Sequence, residues 1–177
     1  MDKMVLRIFQ REVQKQCEFA LTSTMYINDF FKNDSSAHNN QLWYFVQNFL
    51  ISTANVSKLL WGSKSTIAMR QVLRESLGVD EDSPLKIRDF RNHFEHYDER
   101  VERWASSSTN RNFIDSNIGP IRAFGNAFNQ EDFFRNFDPE LMAITFQGQT
   151  YELQPIVDEL AKLHDIAKFE GDKPHWE

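Results

Sequence analysis

The sequence has little of what marks secreted, membrane-spanning or low-complexity proteins. Its 177 residues include one cysteine, Cys17, which therefore has no partner for an internal disulfide. Segment 1–7 lacks the apolar stretch of a secretion signal, and no uncharged apolar run reaches the roughly 18 residues that cross a bilayer. Glycine is scarce, with 6 residues, which excludes a flexible low-complexity chain. We expect one globular domain over 1–177, with no membrane span and a cytoplasmic location.

The chain also lacks a positive charge balance. Lysine and arginine number 20 against 26 aspartates and glutamates, so the formal net charge is −6. Proteins that grip nucleic acid through its phosphates usually carry the opposite balance. Either contact with nucleic acid is confined to a local basic patch, or the partner is not nucleic acid.

Apolar residues recur at helical spacing in four stretches, which predicts four helices. These stretches are 3–32, 38–61, 66–77 and 155–170. The polar run 33–36 is placed to end the first helix, Gly62 and Gly78 to end the second and third, and Pro155 to begin the last, with Gly171 beyond its end. The second helix carries the most apolar residues, so we expect it to be the most buried.

Segment 106–153 has a different character. It is irregular up to about residue 137, but its phenylalanines predict a packed segment and not a disordered one. The apolar stretches 141–146 and 150–153 flank Gln147-Gly148-Gln149, which predicts a short β-hairpin. The predicted fold is all-α, an up-and-down bundle of about five helices. Its core is 3–105 and 154–170, with a small β-hairpin insertion before the last helix.

The fifth predicted helix runs from Ser83-Pro84, a suitable start, to Trp104. Its apolar residues fall three or four apart and form one seam: Ile87, Phe90, Phe94, Tyr97, Val101 and Trp104. At about 100° per residue, four polar residues project to the opposite side of the helix. These are Asn92, His96, Glu99 and Arg103. The polar face carries histidines, arginines and an asparagine, which makes it the candidate functional surface.

Within this helix, Arg91-Asn92-His93-Phe94-Glu95-His96 resembles the Arg-polar-x3-His signature of HEPN domains. These are small all-helical proteins, many of which are metal-independent ribonucleases. The resemblance implies an endoribonuclease, an RNA-cleaving hydrolase that attacks through the ribose 2′-OH, leaves cyclic phosphate ends and acts in stress or phage defence. It implies His96 as general acid or base, Arg91 as the phosphate clamp and Asn92 as an orienting hydrogen-bonder.

Further expectations follow from that resemblance and from the neighbouring side chains. Four residues are expected to contact RNA: Arg88, His93, Arg100 and Arg103. The partners would be RNA, a second copy of the chain across the motif helix, and an antitoxin or regulatory protein, with no membrane. We expect no cofactor and no metal. On a straight helix Arg91 and His96 diverge by about 140° and rise about 7.5 Å, so one helix does not direct both at one atom. Either the long Arg91 side chain reaches round the helix or a second copy completes the site, as the resemblance implies.

Several alternatives remain open. Arg88 and His93 give a second match in another register, with Asp89 as the polar residue. Arg91 with Glu95, and His96 with Glu99, would also form ordinary surface pairs. His93 and His96 are three apart and share a helix face, so with Asp98 or Glu99 they would suit a divalent metal. The acidic net charge favours a catalytically inactive HEPN-like module that dimerises and binds a nucleotide, RNA or protein.

Overall fold

The computed structural model describes residues 1–32, 39–86 and 89–176. Those ranges contain six α-helices: α1 (Lys3–Lys32), α2 (Asn39–Trp61), α3 (Ile67–Ser76), α4 (Asp89–Glu95), α5 (Tyr97–Ser107) and α6 (Gln154–Asp172). The helices predicted at 3–32, 38–61, 66–77 and 155–170 are confirmed, while the expected ends at 33–36 and His38 lie outside the described residues. Within the same ranges no helix is long and apolar enough to cross a membrane.

Helix α2 lies at the centre of the helical core. It packs against α1, α3 and α4, and the side chains of Val46, Phe49 and Leu60 are completely buried. Helix α1 packs against both α2 and α6. Apolar residues on more than one side of α2 let it contact several neighbours at once, which confirms the prediction that it is the most buried helix.

Two of the three glycine predictions are confirmed. Gly62 and Gly78 follow α2 and α3 with φ of +60° and +62°, the left-handed region where glycine pays no steric penalty. Gly171 was wrongly placed beyond the last helix and lies inside α6. A Cβ there would come within 3.0 Å of Arg11 Cγ, so glycine at this position allows α6 to approach α1 closely.

The insertion contains more β structure than the predicted hairpin. It forms β1 (Asn117–Ile118), β2 (Asn136–Asp138), β3 (Ala143–Phe146) and β4 (Gln149–Glu152), in that spatial order. The β3–β4 hairpin is confirmed, whereas β2 joins it antiparallel and β1 pairs with β2 in parallel. The predicted all-α class therefore has to be corrected: the fold is mostly helical with one small sheet. Very short strands that pair across an irregular segment leave no periodic signal in the sequence.

One face of this sheet is part of the helical core. Phe137, Ile144 and Phe146 are fully buried, and they alternate along β2 and β3 with residues of the other face. Phe137 stacks on Phe31 of α1 with ring centroids 5.3 Å apart. The apolar face of the insertion thus completes the core and is not an appendage to it.

The predicted motif helix is broken, which is a second correction. Ser83 and Pro84 open a short 3-10 helix (Pro84–Lys86) instead, and the motif occupies α4 and α5. The break falls at His96, whose φ of −105° and ψ of 37° are not helical. The apolar seam is confirmed for Phe90 through Trp104, and Ile87 lies outside the described residues.

The rings of the seam pack against the insertion from both α4 and α5. Phe90 contacts Tyr151 of β4, whereas on α5 both Tyr97 and Trp104 contact Phe134, the residue two positions before β2. Phe94 of α4 and Tyr97 of α5 also both lie next to Phe146 of β3, so the two halves of the motif pack on overlapping parts of the insertion. The apolar periodicity of the sequence runs through His96 without a change and therefore does not show where α4 ends.

Candidate functional site

His96 stands at the junction between α4 and α5, on the surface. Its side chain is 52% exposed, and Nδ1 lies 3.2 Å from Oε1 of Glu99. Its backbone N–H donates to the carbonyl of Asn92, while its own carbonyl accepts from the N–H of Arg100. The last bond of α4 and the first of α5 thus both run through His96, which fixes its backbone although the helix is interrupted.

Arg91 has different surroundings from His96. Its side chain is only 15% exposed, and its guanidinium lies 2.5 Å from Oε2 of Glu95. Nε is buried and has no hydrogen-bond partner among the described residues. Arg91 also lines a small cavity of about 30 Å³ together with Tyr151 of β4 and Ile156 of α6. In one chain, therefore, Arg91 is held by Glu95 against the core, while His96 faces solvent.

His93 is held beneath the β3–β4 hairpin. Its Nε2 lies 2.7 Å from Oε1 of Gln149, and its ring stacks on Phe146 with centroids 4.8 Å apart and planes 14° apart. Nδ1 is buried without a partner in the described part of the chain. The expected RNA contact at His93 thus falls on a ring already used to join the motif to the sheet. Arg88, the other half of the second register, lies outside the described residues.

Arg100 and Arg103 lie on α5, four and seven positions after His96, and therefore on the same side of that helix. Arg103 is exposed, Arg100 is half-buried, and Nε of Arg100 has no partner within 1–32, 39–86 and 89–176. Asn92 is also half-buried. Over segment 89–107 the sequence carries three arginines and five carboxylates, so this segment is mixed in charge and not basic.

An ion pair that sequence reasoning missed supports α5 from the insertion. Arg135 donates to both carboxylate oxygens of Asp115, with Nε 2.8 Å from Oδ1, and its guanidinium lies over the ring of Tyr97 at 4.7 Å. Burial alone would raise the pKa of Asp115, but the hydrogen bonds and charge of Arg135 outweigh it and hold that pKa below its ordinary value. Burial and the neighbouring Asp115 raise the pKa of Tyr97 to about 12. Twenty residues separate the ionic partners, so no local spacing revealed the pair.

The described residues provide no ligand set for the divalent-metal alternative. No three histidines, cysteines or carboxylates are grouped as a metal ion requires in the portion of the chain the structure describes. His93 and His96 are also in different environments, one under the hairpin and one in solvent, because the helix is interrupted at His96. The helical spacing of three that suggested a shared face does not apply across that interruption.

Comparisons with protein-family models, with curated proteins and with solved structures found no match for the chain.

Proposed function

We propose that the protein is a metal-independent, HEPN-like endoribonuclease in which His96 transfers the proton during attack by the ribose 2′-OH. The observation that carries the proposal is the exposed pair of His96 and Glu99 at the junction of α4 and α5. A histidine that is accessible, fixed through its backbone and oriented by a carboxylate is suited to proton transfer near neutral pH.

The pair defines which ring nitrogen would act. When Nδ1 of His96 carries the proton and donates a hydrogen bond to the Glu99 carboxylate, the neutral imidazole has its lone pair on Nε2. Nε2 can then accept the 2′-OH proton, and the resulting imidazolium is stabilised by the Glu99 charge. Attack of the 2′-oxygen on phosphorus forms the 2′,3′-cyclic phosphate and breaks the bond to the 5′-oxygen. The 5′-oxygen takes a proton from water and leaves as a hydroxyl, and the His96 imidazolium returns its proton to solvent. Glu99 is a positioning residue in this scheme, since it acts through its contact with His96.

In this scheme arginine binds the phosphate, and three arginines of the motif are candidates. Arg100 and Arg103 share the side of α5 on which His96 begins the helix. Arg91 is paired with Glu95, so a phosphate must compete with that carboxylate for it. A planar guanidinium can contact two phosphate oxygens, which suits any of the three arginines for the role.

The first experiment measures cleavage of single-stranded RNA in excess EDTA by the full chain. We expect His96→Ala to lower the rate by about 10²-fold or more, the scale of general acid–base catalysis. His175→Ala is the matched control, because His175 is an exposed histidine outside the motif and should leave the rate unchanged. Glu99→Gln should lower the rate less and shift its pH profile. Equal cleavage by wild type and His96→Ala, or none by either, would refute the proposal.

We further propose that the working unit is a homodimer in which the motif helices of two copies meet. A two-fold interface sets the same patch against itself, so arginines of both copies gather around each histidine. The test mixes inactive Arg91→Ala with inactive His96→Ala protein. Recovery of activity on mixing is expected if the two side chains act from different chains. A monomer by sedimentation, or no recovery from a mixed dimer, would contradict the shared site.

A second candidate is a catalytically inactive HEPN-like dimerisation module that binds a nucleotide, RNA or protein partner. The charge balance of segment 89–107 and the Arg91–Glu95 pair favour it, since neither offers a ready cationic surface to a phosphate. This candidate predicts a dimer that binds its partner but releases no cyclic phosphate product. The cleavage assay above therefore separates it from the ribonuclease.

A further inference from the structure

The outer face of the sheet is polar although it is largely buried. Asn117, Asn136 and Thr145 are register partners across β1, β2 and β3, and Thr145 is paired with Thr150 of β4. Asn136 and Thr145 are 1% and 6% exposed. A buried second sheet face is normally filled with apolar side chains, so a continuous polar row here requires an explanation.

A cavity of about 240 Å³ lies over this polar face. Two 3-10 turns of the insertion, Ile121–Phe124 and Gln130–Asp132, contribute side chains to its walls. Ile121 and Leu141 supply apolar surface, and Arg122 and Gln130 supply polar groups. The cavity is therefore of small-molecule size, with a floor of hydrogen-bonding groups.

The floor carries a donor without an acceptor. Oδ1 of Asn136 accepts a hydrogen bond from Nδ2 of Asn117, on the β1 side. Nδ2 of Asn136, at the other end of the same amide, is buried and has no partner among the described residues. An unpaired buried N–H group is costly and uncommon, and a ligand carbonyl in the cavity would satisfy it.

A hydrogen-bond acceptor, Asp138, lines the same cavity. Asp138 is two residues along β2, on the same face of the strand, about 7 Å away at Cα. Its Oδ1 accepts from the backbone N–H groups of Glu140 and Leu141 at 3.0 and 3.3 Å. Its Oδ2 has an ion-pair contact with Arg122 at 3.8 Å and no hydrogen bond from the described residues. Asp138 is 6% exposed, so little of this residue reaches water.

We propose that the cavity binds a nucleobase through a lactam edge, with the base carbonyl on Asn136 Nδ2 and the adjacent N–H on Asp138 Oδ2. A ring amide is cis and presents both groups on one edge. The trans amide of a peptide points them in opposite directions, which excludes an ordinary peptide backbone. Arg122 is paired with both Asp138 and Glu140, so the charge of this group is negative overall and disfavours a buried phosphate.

Such a base has two possible sources, a free nucleoside or an unpaired base of RNA. The second rests on the proposed function and would make the insertion a base-recognition element beside the cleavage site. Binding of the base itself does not depend on His96. We therefore expect His96→Ala to bind a nucleoside as wild type does, whatever the outcome of the cleavage assay.

The test is calorimetric titration of the full chain with inosine and with adenosine. The two are nearly equal in size, but inosine has the carbonyl and N–H edge, whereas adenosine reverses donor and acceptor. We expect inosine to bind at least tenfold more tightly. Asp138→Asn keeps the oxygen that accepts from Glu140 and Leu141 and removes the second acceptor, so it should weaken inosine binding at least tenfold. Asn136→Asp removes the unpaired donor and should do the same.

Glu131→Gln is the matched control, because it removes one negative charge on the same part of the insertion without lining the cavity. Circular dichroism identifies any variant that fails to fold, and Asp138→Asn decides the matter if Asn136→Asp does not fold. The proposal would be overturned if adenosine bound as tightly as inosine, or if ribose alone did. It would also be overturned if Asp138→Asn bound inosine as tightly as wild type. Displacement of inosine by single-stranded oligoinosine would identify RNA as the source, and failure of the oligomer to compete would identify the free nucleoside.

Discussion

Phe146 of β3 holds the insertion to the motif, and Phe146→Ala should strongly destabilise the protein. Its side chain is fully buried. Its ring lies within 6.5 Å of four others, stacked on His93 at 4.8 Å and at 5.3 to 6.4 Å from Phe134, Phe94 and Tyr97. These rings come from α4, from α5 and from the insertion, so one substitution loosens three parts of the fold.

The magnitude follows from burial and from the cavity left behind. An aromatic side chain buries about 150–250 Å², worth roughly 4–6 kcal/mol at about 25 cal/mol per Å² before the alanine that remains is counted. Measured Phe→Ala changes in cores cost about 3–5 kcal/mol. Because a typical domain has about 5–15 kcal/mol of stability, such a loss takes a large part of the total.

The measurement is urea unfolding followed by tryptophan fluorescence and by circular dichroism. Leu141→Ala is the control, because Leu141 is 61% exposed in the same insertion and should change the free energy of unfolding by less than about 0.5 kcal/mol. A cost below about 1 kcal/mol for Phe146→Ala would refute the reasoning, since the sheet would then not be part of the core.

Three other predictions concern titration, reactivity and backbone. The pKa of Asp115 is lowered in the folded state, so its contribution to stability is complete above about pH 5 and is lost as the pH falls through that pKa. In Asp115→Asn the free energy of unfolding should therefore depend less on pH below about pH 4. Burial raises the pKa of Cys17 to about 12, so an aromatic disulfide reagent at pH 8 should label it only after unfolding. Gly62→Ala should lower the melting temperature more than Gly78→Ala does. Both glycines have positive φ, but of the two only Gly62 has a neighbour where the new Cβ would lie, a threonine hydroxyl oxygen 2.3 Å away.

The parts of the fold that the sequence predicted are those with local causes. Long helices repeat their apolar residues every three or four positions, and their ends are marked by residues with special backbone preferences, as at Gly62, Gly78 and Pro155. The β3–β4 turn is similar, since Gln147 and Gly148 have φ of 46° and 84°, which a glycine-containing two-residue turn favours. These signals lie within a few residues of the elements they define.

The parts that were missed depend on residues far apart in the chain. Strand β1 is two residues long and pairs with β2, nineteen positions later, so neither strand has a pattern of its own. Asp115 and Arg135 are twenty positions apart. His93 was expected to contact RNA, but Phe146 and Gln149 in the insertion hold its ring. Helical periodicity identifies the apolar face that a helix buries. It does not show which other side chains of that helix contact a distant part of the chain.

The break at His96 changes the physical argument for a shared site. The offset of about 140° between Arg91 and His96 holds for a straight helix, and His96 has left helical geometry. The argument for a second copy now rests on charge and burial: within one chain Arg91 is held by Glu95, and segment 89–107 has more carboxylates than arginines. An interface between two copies would exclude water around those groups, strengthen each arginine's attraction for a phosphate and bring in a second set of arginines. It would also add a second set of carboxylates, so the dimer favours RNA only if its geometry turns the arginines, and not Glu95 and Glu99, toward the phosphate.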